Sequence, residues 1–95
     1  MALKTEKRED SLVIHLNETF DFSSIEEFKS AYDTNNADDF TVDFSDTDRI
    51  DTGGLGMLLS MKRRAGGRPI TLTNCKSQIH TLLIISHLDE QFVIC

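Results

Sequence analysis

Residues 40–59 read FTVDFSDTDRIDTGGLGMLL, and their pattern changes from that of a strand to that of a helix within one short loop. Apolar and polar residues alternate from Phe40 to Phe44, a period of two that is typical of a half-buried β-strand. After a polar loop, good helix formers run from Leu55 to Ala65 and stop at Gly66-Gly67. This succession of strand, loop and helix predicts an α/β fold.

The rest of the chain repeats the alternation of strand and helix patterns. Strands are predicted at 12–16, 69–73 and 92–94, with residues 3–8 as a short edge strand, and helices from Ile25 to about Asn35 and from Ser77 onward. Ser23 with Glu26, or Ser24 with Glu27, fits a capping box that starts the first helix, and Ser77 is predicted to cap the third. Strands joined by helices of about 10–12 residues need crossover connections. This favours a mixed, mostly parallel sheet of four to five strands with three helices.

The composition limits the function classes. The 95 residues carry a formal net charge of −6, which argues against nucleic-acid binding and against docking on an anionic membrane, since both need a basic face. The two cysteines lie outside any CxxC or zinc-ligand spacing, which argues against a disulfide framework or a zinc site. No signal-peptide pattern and no apolar run of membrane-spanning length is found, so residues 1–95 are predicted to form one cytoplasmic domain without membrane insertion.

The junction between loop and helix at 48–56, DRIDTGGLG, places a hydroxyl residue at a favourable position for binding an anion. A helix N-terminus presents unpaired backbone N–H groups and partial positive charge, so a phosphoryl group on Thr52 would be held there. The alternative is structural: Thr52 or Asp51 is an ordinary N-cap, and Gly53-Gly54 forms a tight turn. The spacing matches neither a Walker loop nor a dinucleotide-binding fingerprint.

Residues 42–59 resemble the signature of STAS domains, a family that includes the bacterial anti-sigma factor antagonists. The shared motif is Asp, then Ser or Thr, any residue, Gly, Leu and Gly, after a strand and a short loop. The likeness extends to Phe20-Asp21, Gly66-Gly67 and Asn74-Cys75. It implies a STAS-like (SpoIIAA-like) fold for a single domain at 1–95. The C-terminal helix common in the family is expected to be absent after Cys95, and the surface left open is expected to favour a homodimer.

The resemblance also implies a partner switch. In the family, the hydroxyl residue after the motif Asp is phosphorylated by an anti-sigma factor that is also a serine/threonine kinase, and a PP2C-type phosphatase removes the phosphate. The unphosphorylated antagonist binds the anti-sigma factor. The matching residue is Thr52, and Asp21 matches an acidic residue near the site. Two departures are a Thr where most switchable members have Ser, and Gly53 where the family often has a second hydroxyl residue.

Charge and helix periodicity favour an interface around this site. Residues 38–51 carry six aspartates against Arg49 alone, a net charge of −5, and a phosphate adds about −1.5 to −2. We therefore expect phosphorylation to repel an acidic partner surface. Met57 and Met61 widen the apolar arc of the second helix and are predicted to lie partly exposed beside Thr52, with core packing as the alternative. The predicted partner-binding residues are Asp21, Asp51, Gly53, Gly54, Met57 and Met61.

Two other function classes are alternatives to this prediction. The first is a constitutive STAS binding subunit of a bacterial ABC lipid-transport complex, because some of these subunits resemble the run Asp51–Leu55. An enzyme is not expected, since the sequence shows no paired catalytic carboxylates, activated nucleophile or metal cluster, and no cofactor is implied. His15, His80 and His87 are interpreted as surface or packing residues.

Overall fold

The computed structural model describes residues 3–33 and 36–94 as a layer of helices on a mixed sheet. The strands are β1 (Lys4–Arg8), β2 (Ser11–His15), β3 (Thr19–Phe20), β4 (Asp39–Asp43), β5 (Arg49–Ile50), β6 (Ile70–Thr73) and β7 (Val93–Ile94). The helices are α1 (Ile25–Asp33), α2 (Thr52–Ala65) and α3 (Ser77–Ile85), with short 3-10 helices at Phe22–Ser24 and Leu88–Glu90.

The main sheet has five strands in the order β1-β2-β4-β6-β7. Strand β1 pairs antiparallel with β2, and the other neighbours are parallel, as crossover connections through helices require. Strands β3 and β5 form a separate two-stranded parallel ladder. The prediction of a mostly parallel mixed sheet with three helices, and of an edge strand within residues 3–8, is thus confirmed.

The core is organised in rows that cross the three central strands. The register places Leu12, Phe40 and Ile70 side by side, and Ile14, Val42 and Leu72 form the next row; all six are buried. The alternation in each strand therefore sends one face into the core, as a period of two predicts. Buried residues of the three helices complete the same cluster, among them Phe28, Leu58, Met61, Ile79 and Leu83.

The helix ends differ in part from the prediction. The carboxylate of Asp21 accepts a hydrogen bond from the backbone N–H of Ser23 at 3.0 Å and starts the 3-10 helix that leads into α1. The predicted capping box is therefore wrong. Ser77 is the first residue of α3 and not its cap, and no side chain caps that helix. Gly66 ends α2 in the left-handed conformation, as predicted, with φ of 61°. The predicted end of the first helix near Asn35 lies outside the described residues.

Three large apolar side chains near the C-terminal part of the described chain are exposed: Ile84, Ile85 and Val93. The final strand begins at Val93, one residue later than predicted, because the backbone N–H of Phe92 donates a hydrogen bond to the carbonyl of Leu88 at 3.0 Å and not to strand β6. The expectation of a homodimer stays a prediction. Among the described residues, no helix is both long and apolar enough to cross a bilayer.

Arg68 connects the end of α2 to the amino end of β4. Its guanidinium donates hydrogen bonds to the carbonyls of Ala65 at 2.7 Å and Ala37 at 2.8 Å, and lies 4.9 Å from the centre of the Phe40 ring. A planar guanidinium can satisfy two carbonyls and stack on a ring at once, whereas an ammonium group cannot.

We therefore expect Arg68→Lys to lower the free energy of unfolding by about 1–2 kcal/mol, because two hydrogen bonds and the ring contact are weakened. Urea unfolding followed by circular dichroism measures the change. The matched control is Arg63→Lys on the exposed surface of α2, which should change stability by less than about 0.5 kcal/mol. Equal midpoints for the two variants would show that Arg68 has no such role.

Candidate functional site

Thr52 is the first residue of α2, and its side chain is exposed. The preceding residue, Asp51, is extended and caps the helix: its carboxylate accepts a hydrogen bond from the backbone N–H of Gly54 at 3.0 Å. Of the two residues considered as N-cap, Asp51 therefore has that role. The hydroxyl of Thr52 is not needed to start the helix and stands at its positive end, where an added anion is electrostatically favoured.

The two glycines after Thr52 allow α2 to approach the neighbouring backbone closely. A Cβ on Gly54 would overlap the carbonyl oxygen of Phe20 and lie 2.8 Å from Cγ1 of Ile50. Gly54 is buried and packs closely against the neighbouring backbone, while its contact with a partner stays a prediction. Gly53 is half-buried, and a Cβ there would lie 3.1 Å from Cβ of Phe22.

Gly54→Ala is expected to destabilise the protein by about 1–3 kcal/mol, because the added methyl group forces α2 away from β3. Gly56→Ala is the matched control on the same helix: no atom lies within 4 Å of its Cβ position, so the better helix propensity of alanine should stabilise by about 0.5–1 kcal/mol. Thermal unfolding of both variants tests this. The packing role is refuted if the two substitutions have the same sign.

Asp21 and Asp51 lie together, as the prediction requires. Both line a groove that also includes Asp48, Arg49 and Gln78. A hydrogen bond from the Ser23 side chain, at 2.5 Å, lowers the pKa of Asp21 below its ordinary value, with a further contribution from the Ser23 backbone N–H. The lowered pKa keeps Asp21 ionised at neutral pH, and the groove thus carries three aspartates against Arg49.

The acidic stretch 38–51 does not form one cluster beside Thr52. Asp39 lies at the amino end of β4 and accepts a hydrogen bond from the Ser11 hydroxyl, while Asp43 lies at the carboxyl end. Helix α2 spans about 20 Å and returns to the amino end, where Arg68 contacts Ala37. Asp38 and Asp39 are thus far from Thr52, and the interpretation of the whole stretch as the charge around Thr52 is wrong. The parallel strand between the two groups of aspartates separates them.

The two methionines of α2 are in the core. Met61 is 0% exposed and Met57 is 5% exposed, so the prediction that they form a partly exposed edge for a partner is wrong. The alternative, core packing, is correct. The buried stripe of the helix is Gly54, Met57, Leu58, Met61 and Ala65, which has the i, i+3, i+4, i+7, i+11 spacing of a single face. A helix face centred only on the leucines leaves out both methionines, which the structure buries.

A polar cluster around His15 was not predicted. Nδ1 of His15 lies 2.7 Å from Oδ2 of Asp43, and Nε2 lies 2.6 Å from Oε1 of Glu6. Hydrogen bonding to Asp43 and then to Glu6 raises the pKa of His15 above its ordinary value. Burial acts to raise the pKa of Asp43, but hydrogen bonds from Asn74, His15 and Ser45 outweigh it and leave that pKa lowered. The cluster could not be predicted from the sequence, because it depends on the strand register that places His15 opposite Asp43.

The His15 cluster predicts a pH dependence of stability. Because the folded-state pKa of His15 is raised, its stabilising effect is complete below the ordinary value of about 6.5 and is lost as the pH rises through the folded-state pKa. His15→Gln should therefore reduce the fall in stability between about pH 6 and pH 9. Urea unfolding across this range measures it, with the exposed His80→Gln as control. Identical pH profiles for His15→Gln and the unsubstituted protein would contradict the prediction.

No group of three or more His, Cys, Asp or Glu side chains within residues 3–33 and 36–94 is arranged to hold a metal ion. The chemistry available at the junction is therefore that of an exposed hydroxyl group at a helix N-terminus, with carboxylates on one side and exposed apolar side chains on the other. Such a surface can accept a covalent charge and can contact another protein.

Comparison with known proteins places this geometry in context. The family model described as "Mlab, STAS domain" matches residues 3–94. A STAS-domain containing protein of Pseudomonas aeruginosa (strain UCBPP-PA14) is 32% identical over 87 residues, which cover 87% of this chain and 86% of the relative.

Solved structures show the same fold. The anti-sigma factor antagonist SpoIIAA in its unphosphorylated form superposes with a TM-score of 0.80 at 19% identity, covering 99% of this chain and 88% of that chain. The phosphorylated form of Bacillus SpoIIAA gives a TM-score of 0.72 at 19% identity, with 99% and 91% covered. A sulfate transporter family protein of Wolinella succinogenes gives 0.76 at 18% identity, with 94% and 80% covered. At these identities the likeness concerns the fold.

Proposed function

Because the chain belongs to the STAS-domain family and has the SpoIIAA-like fold, we propose that it is an anti-sigma factor antagonist controlled by phosphorylation of Thr52. The unphosphorylated protein binds an anti-sigma factor that is also its serine/threonine kinase, and a PP2C-type phosphatase restores the binding form. The observation that carries the proposal is the exposed Thr52 at the start of α2, directly after the capping Asp51.

The electrostatics of the junction support a local switch. A phosphate adds about −1.5 to −2 charges at pH 7. The start of α2 favours that charge on the protein itself, while Asp51 and Asp21 add to the negative potential that a partner meets. A partner docked over Thr52 has to desolvate these charges together, which weakens binding without a large conformational change. The proposed role is binding in the cytoplasm, and no catalytic step is assigned to this chain.

The comparisons support the proposal by analogy. SpoIIAA, whose fold this chain shares, is described as an anti-sigma factor antagonist and was solved in unphosphorylated and phosphorylated forms. Thr52 offers the same kind of acceptor, a hydroxyl group, as the serine that most switchable members carry. Thr52 lies at an exposed position, as an acceptor for a kinase must.

Intact-mass spectrometry after incubation with the cognate kinase and ATP tests Thr52 as the acceptor. We expect one phosphate on the unsubstituted protein and on Thr52→Ser, and none on Thr52→Val, which keeps the shape but lacks the hydroxyl group. Ser23→Ala, which removes another exposed hydroxyl group nearby, should still be phosphorylated. Modification of Thr52→Val to the same extent would assign the phosphate to a different residue and overturn the proposal.

A second candidate function is a constitutive STAS binding subunit of a bacterial ABC lipid-transport complex. One observation favours it: the run Asp51–Leu55 resembles such subunits. Affinity purification from the native cell separates the candidates. Recovery of a histidine-kinase-like ATPase supports the antagonist, whereas recovery of a transporter ATPase supports the transport subunit.

A further inference from the structure

A groove of about 670 Å³ runs between α1 and α2 and opens beside Thr52. Two apolar side chains at its rim are conspicuously exposed: Phe22 at 69% and Ile25 at 37%. Leu59 also lines it, together with Phe28 and Met57, which are only 1% and 5% exposed, so the lining of the groove is mainly apolar. Exposed large apolar side chains that border a groove are typical of a protein interaction surface.

The charged side chains of this groove are all basic. Lys29 from α1 and Arg63 and Arg64 from α2 line it, and none of its described lining residues is acidic. Arg64 donates to Asp33 at 3.1 Å, and Arg63 contacts the Ser60 hydroxyl at 3.3 Å. Within the described residues, Lys29 and Arg63 form no ion pair with a carboxylate. The groove is thus locally positive in a chain whose net charge is −6.

The charge pattern around Thr52 is therefore two-sided. The first groove carries three carboxylates, Asp21, Asp48 and Asp51, against Arg49, and Asp48 is also paired with Lys76, whereas the charged side chains that line the α1–α2 groove are all basic. Helix α1, with nine residues, gives the α1–α2 groove a length of about 13 Å. This length accommodates about two to three turns of a helix laid between α1 and α2, with apolar residues at i, i+3 and i+7 as anchors.

We propose that the α1–α2 groove binds an acidic amphipathic helix of the partner protein. Its apolar face covers Phe22 and Ile25, and its carboxylates meet Lys29 and Arg63. Gly53 lines the groove next to Thr52, so a phosphate at Thr52 stands at the mouth of the groove and repels an acidic helix. This reading of the switch rests on the proposed function, whereas the groove's preference for an acidic helix does not.

The test titrates the ¹⁵N-labelled, unphosphorylated chain with a synthetic three-turn amphipathic peptide of leucine and glutamate, and with the same peptide in which lysine replaces glutamate. We expect the acidic peptide to shift the amide signals of Phe22, Gly56 and Leu59. The double variant Lys29→Glu/Arg63→Glu should weaken its binding at least tenfold, and Lys29→Gln/Arg63→Gln by a smaller factor. The matched control Lys62→Glu lies on α2 but does not line the groove, and should change the affinity by less than twofold.

Three results would overturn the proposal: equal affinity for the two peptides, no effect of the double charge reversal, or shifts confined to Asp48, Asp51 and Gln78 or to Ile84, Ile85 and Val93. Spectra of the variants without peptide verify the fold. Because no kinase is used, the outcome is independent of Thr52 phosphorylation. If mass spectrometry shows that Thr52 is not phosphorylated but the acidic peptide still binds, the proposed phosphorylation switch is wrong, and the proposal that the groove binds an acidic helix is supported.

Discussion

The close approach between the start of α2 and strand β3 is the constraint on which the site depends. At Gly54 the backbone of the helix lies so near the carbonyl of Phe20 that no side chain fits between them. That approach joins the small β3–β5 ladder to the helix and brings Asp21 to the same rim as Asp51. It also places the first turn of α2 at the surface with Thr52 outward. A hydroxyl group is thus displayed on a rigid element in a defined orientation.

The charged side chains near Thr52 differ between its two sides. Asp21, Asp48 and Asp51 lie on one side, and the basic α1–α2 groove lies on the other. The proposed partner binding needs only a surface of this kind. Interaction between charge patterns acts over roughly 8–10 Å at physiological ionic strength, so one added phosphate influences both sides of the junction.

Local patterns predicted the strands and helices of the fold well, because strand alternation and helix stop signals are properties of neighbouring residues. Gly66 ended α2 as expected, and the buried rows of β2 and β4 followed from their period of two. The failures concerned placement in three dimensions. A helix face centred on the leucines predicts a partly exposed edge at Met57 and Met61, with core packing as the alternative, whereas the stripe that starts at Gly54 buries both. The aspartates of 38–51 are adjacent in sequence but separated by a strand, and the His15 cluster exists only through the register of three strands.

Because Asp51 caps α2, folding does not depend on the Thr52 hydroxyl group, which is the proposed phosphorylation site. Since the helix start depends on Asp51 and Gly54, exchange of Thr52 for serine, valine or alanine alters only intrinsic helix propensity, by roughly 0.7 kcal/mol or less. The acceptor position is therefore nearly neutral for folding. A lineage can gain, lose or retune phosphorylation at this position by a single codon change while the scaffold persists. A regulated and a constitutive descendant of one ancestor can then differ by a single substitution that hardly changes the stability of the fold.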